Sequence, residues 1–303
     1  MVVGAAAARA PGVALQRGRG LPPSLDILQH PAGRSGVLLL GLLLGLAVAG
    51  PLLVPYGPNQ VNPSDALQGP SVAHWFGTDE LGRDGLARVA AAAPVAFYLT
   101  GTSVLIALVL GTPIGLVAGY AGGLVETALM WLMDVLFSLP ALLLALVVVG
   151  ISGPSLNNAI LAVAIVYIPR FARIARGSTR SIRARVYVEA ARCLGAGGGR
   201  IVSRHVLPNI LGPLIVQISL SLSTAELAHA SLSFLGLGVQ PPAADWGVML
   251  AKARSLMTVA PWLAVFPALA VVVLIVAFNL LGDALRDMLD PRRRTETARV
   301  AGV

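Results

Sequence analysis

Ala96-Phe-Tyr-Leu-Thr-Gly-Thr-Ser-Val-Leu-Ile-Ala-Leu-Val-Leu-Gly-Thr-Pro-Ile-Gly-Leu-Val-Ala-Gly-Tyr120 contains no charged side chain. A helix needs about 20 such residues to cross the hydrocarbon core of a bilayer. This run meets that length, and five more segments along the chain approach it: Val37 to Val54, Leu129 to Val149 interrupted by Asp134, Asn157 to Arg173, Ile210 to Leu237, and Trp262 to Leu281. The whole chain agrees, with 303 residues of which 56% are hydrophobic and 12% charged, and a mean hydropathy of +0.80. Soluble domains carry about 25% charged residues, so the bilayer is the solvent this sequence fits. The expected fold class is an all-α membrane protein with six transmembrane helices.

Charge sets the expected orientation. With the N-terminus in the cytoplasm, four arginines fall inside before the first span: Arg9, Arg17, Arg19 and Arg34. Nine more fall inside between Arg170 and Arg204, and five after the last span, from Arg286 to Arg299, out of 22 basic residues. Only Arg83, Arg88, Lys252 and Arg254 fall outside. This is a strong positive-inside bias, and it places both termini in the cytoplasm. The same distribution argues against nucleic-acid binding, because the basic residues sit where topology uses them.

The boundaries follow from these runs. Residues 1–34, rich in Ala, Gly, Pro and Arg, read as a cytoplasmic arm without stable structure. Residues 35–95 hold the first helix, read as an uncleaved span, and a polar extracytoplasmic loop. Residues 96–290 form the core, with a basic cytoplasmic loop at 175–208, and residues 291–303 form a cytoplasmic tail. Within the spans, Gly111, Pro113, Gly115, Pro140 and Pro267 suit close helix approach and local bends. Gly115-Leu-Val-Ala-Gly119 has the GxxxG spacing of a helix-packing face.

Bond-making chemistry finds no support. A phosphate-binding loop needs a glycine-flanked lysine, and the sole lysine, Lys252, is followed by alanine. The single cysteine, Cys193, excludes an internal disulfide and a cysteine-rich metal site. The histidines, at 30, 74, 205 and 229, are scattered. The expectation is a non-enzyme with no cofactor or metal of its own.

The basic loop carries the most specific signal. It reads Tyr187-Val-Glu189-Ala190-Ala191-Arg-Cys-Leu-Gly195, and then Arg204-His205-Val-Leu207-Pro208-Asn209. This resembles the EAA loop of bacterial ABC importer permeases, E-A-A-x3-G-x9-I-x-L-P, at complete spacing. His205 stands where the general pattern has Ile. Small residues at 190 and 191 permit close approach by a partner. Glu189 offers a carboxylate for a charge-assisted contact. Gly195 permits a sharp turn after a helix, and Pro208 is tolerated in the first turn of the next one. The competing reading is an amphipathic helix resting on lipid headgroups. Gly197-Gly198-Gly199 departs from the family pattern and is expected to loosen any helix continuing past Gly195.

Three further stretches extend the resemblance. His74-Trp-Phe-Gly-Thr78-Asp79-Glu-Leu-Gly-Arg83-Asp84 resembles the segment before the second span of peptide permeases. Ser231-Leu-Ser-Phe-Leu-Gly-Leu-Gly238-Val-Gln-Pro-Pro with Trp246-Gly247 resembles the loop after their fifth span, and Phe278 to Arg292 their C-terminal end. These match the C-type permease of dipeptide, oligopeptide and nickel importers, with glutathione as a further cargo of the family. The resemblance implies the type I ABC importer permease fold, a bacterial inner-membrane location, and transport of peptides. It also implies four kinds of companion: a second homologous permease, two ATPase subunits that bind the ATP and Mg, an extracytoplasmic substrate-binding protein, and the lipid bilayer. Thr78, Asp79, Arg83 and Asp84 read as caps and staples for a helix start rather than as substrate contacts.

Three ionisable residues fall within spans, where charge is expensive: Asp134, Glu226 and His229. Glu226 and His229 are three apart and share a helix face. They either line the translocation path or form a buried pair that fixes packing. A self-contained secondary transporter using these three as an ion relay is the alternative function. It needs no ATPase partner, and co-purification in mild detergent separates the two.

Overall fold

The computed structural model describes residues 30–289, and the expectations for the N-terminal arm up to residue 29 and for the tail beyond 289 lie outside it. Among the described residues the regular elements are all helical. Helix α1 spans Pro31–Leu53, α2 Gly85–Ala121, α3 Gly123–Ser138, α4 Ala141–Ser152 and α5 Leu156–Arg183. Then come the short α6 (Val186–Cys193) and α7 (Gly198–Ile201), a π-helical turn at Val202–Val206, and α8 (Leu207–Phe234). The chain ends with α9 (Trp246–Ala253) and α10 (Trp262–Leu289).

Five of these stretches are long and apolar enough to cross a membrane: α1, α2, α5, α10, and α8 with the turns leading into it. The expected third span is different. It is broken into α3 and α4, bent by 90°, and the pair makes a sixth span only if taken together. Pro140 explains the break, because proline disfavours a helical residue before it, and Leu139 is extended at φ −85°, ψ 139°. Three other boundaries move. Helix α1 begins at Pro31 rather than Val37, so the arm expected over 1–34 ends earlier. Helix α2 begins at Gly85, so a division at residue 95 falls inside it. Helix α5 continues ten residues beyond Arg173, because its basic C-terminal half is amphipathic and keeps burying Ala175 and Thr179.

The seam between α2 and α5 holds the fold together. Gly111, Gly115 and Gly119 lie one above another on α2. A Cβ at Gly111 would sit 2.5 Å from the Ile168 carbonyl oxygen and 2.9 Å from Phe171 Cβ. At Gly115 it would strike the Ala172 carbonyl, and at Gly119 it would lie 2.7 Å from the Arg176 carbonyl. Each α2 glycine thus faces one turn of α5 backbone. The GxxxG pair therefore packs helices, and Gly111 extends it by one turn. In a membrane, where burying apolar surface gains little, such close van der Waals contact is a main source of helix association. Around the seam, Val104, Ala107, Val163, Tyr167 and Phe171 join one buried cluster with Val188, Ile201, Val206 and Ile210. The segment between α5 and α8 is therefore rooted in the principal core.

A polar cap closes the start of α2. The Asp84 carboxylate accepts from Ala87 N at 2.8 Å, capping the helix, and lies 2.9 Å from His74 Nδ1. Buried Thr78 donates to the Asp65 carbonyl and accepts from Gln68 N at 2.8 Å. Asp79 accepts from Leu81 N at 2.9 Å, from Arg83 N at 3.0 Å and from Arg83 Nε at 2.7 Å. Gly82 sits at φ +70°, and a Cβ there would collide with the Asn62 carbonyl. The capping and stapling role read for Thr78, Asp79, Arg83 and Asp84 is the geometry found.

Candidate coupling segment and the polar seam

The segment read as a coupling loop folds into two short helices with a sharp corner. Helix α6 ends in a Schellman motif: Gly195 N donates to Arg192 O and Ala196 N to Ala191 O, both at 3.0 Å. Gly195 supplies the left-handed residue this ending needs, at φ +82°. A Cβ there would meet open space, so conformation rather than crowding calls for glycine.

One side of α6 is anchored and the rest is presented. Val188 is fully buried in the core cluster. Val186, Tyr187, Glu189, Ala190, Cys193 and Leu194 are exposed, with Val186 at 82% and Leu194 at 89%. Ala191 is half-buried. Among the expected residues, the structure brings Tyr187 and His205 together, their ring centroids 6.2 Å apart. Leu207 and Pro208 open α8, as their place in the motif implies.

Tyr120, at the end of α2, braces this corner, and sequence reasoning did not single it out. Arg183 Nη1 donates to the Tyr120 carbonyl at 2.6 Å. The Arg183 and Arg192 guanidinium groups lie 5.8 and 5.9 Å from the centre of its ring. A Cβ at Gly198 would come within 2.9 Å of Tyr120 Cε1. Helical structure stops at Cys193 and restarts only as the four-residue α7 at Gly198, where the missing side chain makes room for the tyrosine. Lone aromatic residues at span ends are common, so only the contact map exposes this role.

The three intramembrane ionisable residues separate into two situations. Asp134 is not isolated: its carboxylate meets Arg173 at 2.7 Å, with 62% of the side chain exposed. Arg173 also lies 4.1 Å from the centre of the Phe137 ring. Glu226 and His229 are buried between α8 and α2. Thr100 donates to Glu226 Oε2 at 2.8 Å. Ser103 lies 2.9 Å from His229 Nε2 and donates to the Ile160 carbonyl at 3.1 Å. A hydroxyl has one proton. With Ser103's given to Ile160, the His229 Nε2–H is the donor of the second bond. The three-residue spacing thus recurs on both helices, 100 and 103 against 226 and 229, as two rungs of a ladder. Beyond α8, Asp245 caps α9 by accepting from Val248 N at 3.0 Å. Burial pushes its carboxyl above the usual range, and hydrogen bonds from Val248, Ser233 and Gly247 pull it back.

The comparisons with known proteins converge. Residues 111–295 match the family model described as "Binding-protein-dependent transport system inner membrane component". The dipeptide transport system permease protein DppC of Alkalihalophilus pseudofirmus is 41% identical over 86% of this chain and 86% of its own length. The chain belongs to the binding-protein-dependent transport inner-membrane component family. The glutathione transport system permease protein GsiD of Pectobacterium atrosepticum is similar at 43% identity over 88% of this chain and 89% of its own length. A probable D,D-dipeptide permease, DdpC of Escherichia coli, is 40% identical over 86% of this chain and 88% of its own length. A solved structure of the MetNI methionine ABC transporter, inward-facing, superposes with a TM-score of 0.57 at 18% identity. It covers 67% of this chain and 96% of that chain, a likeness of fold. As a member of this family the protein is a multi-pass membrane transport subunit of the peptide-permease type, not an enzyme. The matched region of this permease contains α6, the Tyr120 brace, Glu226 and His229.

Proposed function

We propose that this permease forms half of the translocation path of an ATP-driven peptide importer and is moved through α6. The observation that carries the reading is a short helix anchored by Val188, with Ala191 half-buried and an exposed outer face that includes Glu189. A helix whose root lies in the core and whose outer face is free suits docking into a groove on an ATPase subunit. Movement of α6 would pass through Val188, and through Arg192 and Tyr120, to the ends of α5 and α2. The spans would then rock between outward and inward states as the ATPases close and open.

The reading calls for an assembly of two permeases, two ATPase subunits holding ATP and Mg, and an extracytoplasmic binding protein, in a bacterial inner membrane with both termini cytoplasmic. Peptides are the proposed cargo, since two relatives are named for dipeptides and a third for glutathione, itself a small peptide. The Glu226 and His229 rungs read as positioning groups beside that path, because each already meets a hydroxyl on α2.

The test is Glu189→Arg combined with Gly195→Asp in the assembled transporter. ATPase association and labelled-dipeptide uptake should both fall, while the permease still accumulates in the membrane. Unchanged association and uptake would remove α6 from the mechanism.

A further inference from the structure

Arg170 lies fourteen residues into α5, which continues for thirteen more, although the charge pattern placed it among the cytoplasmic arginines. Its guanidinium rests 4.5 Å from the centre of the buried Tyr167 ring. Its one hydrogen bond among the described residues is a long one, Nη1 to Thr224 Oγ1 at 3.4 Å. Among those residues it has no carboxylate partner, unlike Arg173, which holds Asp134, and Arg176 and Arg180, which hold Glu126. A guanidinium has five donors, and an arginine inside a span normally pairs or faces a water-filled cavity.

The surroundings point to a cavity. Thr224 is exposed on α8, flanked by the exposed Leu220 and Leu227. An open groove of about 530 Å³ runs between α5, α8 and α10, lined by Ile174, Gln217, Leu220, Arg286 and Leu289 among others. Ile174 and Leu220 are one helical turn from Arg170 and Thr224, respectively. The groove therefore leads from the last residues of α10 to within a turn of the uncompensated cation.

We propose that Arg170, backed by Tyr167 and Thr224, is a binding site for the carboxylate of the transported peptide. Arginine matches a carboxylate with two parallel bonds, and Tyr167 fixes the guanidinium plane without consuming its donors. A peptide cargo always brings such a group. The inference rests on the peptide reading above and names the residue that would meet the cargo.

The experiment uses the assembled transporter in proteoliposomes. In a Cys193→Ser background, Arg170→Cys is exposed to the anionic thiol reagent sulfonatoethyl methanethiosulfonate, and labelling of this subunit is read by mass. Labelling that is slowed by excess dipeptide is expected. No labelling, or labelling indifferent to dipeptide, overturns the site. A second arm measures dipeptide uptake by Arg170→Lys and Arg170→Gln. The Gln variant should lose about tenfold in uptake, chiefly through KM, from removal of a charge-assisted pair. The Lys variant should fall between wild type and Gln, because it keeps the charge but loses the paired geometry and the stacking on Tyr167, and the second permease should co-purify with both. Wild-type uptake in the Gln variant overturns the proposal. So does loss of the second permease, which would assign the cation to a carboxylate on that subunit. Wild-type protein run alongside separates the two readings: its failure to take up dipeptide sinks the peptide cargo itself, whereas equal uptake by wild type and Gln sinks only Arg170.

Discussion

The two ends of α2 are built on opposite principles. At its start, the turn from Thr78 to Arg88 buries Thr78, Arg83, Asp84 and Arg88 and gives its polar groups partners: Asp84 caps the helix and meets His74, Asp79 gathers Arg83, and Thr78 ties Gln68 to Asp65. At its end, Tyr120 leans on a corner whose outer face is exposed, rooted by Val188, Ile201 and Val206 and held by two cation–π contacts and a glycine turn. At 37 residues α2 is about 55 Å long, so one continuous helix joins the polar cap to the presented corner. A permease driven from one side needs this asymmetry: one end must hold its shape while the other is pushed.

Substitutions can break the comparison, beginning with that helix itself. Gly115→Leu should abolish accumulation of folded protein, since a side chain there would drive α2 off the Ala172 carbonyl. Detergent-solubilised yield on a sizing column reads this, and normal yield would mean the seam is not what holds the fold. Next is the cap. Asp84→Ala removes a helix cap worth about 1 kcal/mol and leaves buried His74 without its partner, for about 1–3 kcal/mol more. Thermal unfolding should show a clear loss of stability with ATPase binding to the surviving fold retained.

The presented end should behave the other way. Gly195→Ala forces an L-residue into the left-handed region, at a cost of about 1 kcal/mol. That strain is local to the α6 corner, so uptake should fall more than the melting temperature. Leu194→Ser has the smallest expected effect on stability, within about 0.5 kcal/mol, because the residue is exposed. It should nevertheless weaken ATPase association several-fold in a pull-down. A stability loss matching that of Asp84→Ala would show that the corner is part of the scaffold.

The sequence made much of this legible, for identifiable reasons. Runs such as Ala96 to Tyr120 are long and uncharged, so spans could be counted. The Glu189 to Pro208 spacing is specific, so the corner could be located, and Gly195 takes the left-handed turn its motif implies. Other features were hidden by distance in the chain. The 90° break at Pro140 lies inside a run long and apolar enough to count as one span, where a proline signals a bend but composition cannot show its angle. The pairing of Asp134 with Arg173 crosses 39 positions, and the rungs from Thr100 to Glu226 and from Ser103 to His229 cross 126 each. Gly198 looked like a helix breaker because the ring that fills its space belongs to Tyr120, far upstream.

The central claim is that α6 faces the cytoplasm and meets the ATPase subunits. Cys193, the chain's single cysteine, is exposed at its end and reports on this without any substitution. A membrane-impermeant maleimide should label it in inside-out vesicles stripped of ATPase subunits and leave it unlabelled in right-side-out vesicles. Adding the ATPase subunits back should protect it. Labelling from the right-side-out face, or labelling indifferent to the ATPases, would contradict the account.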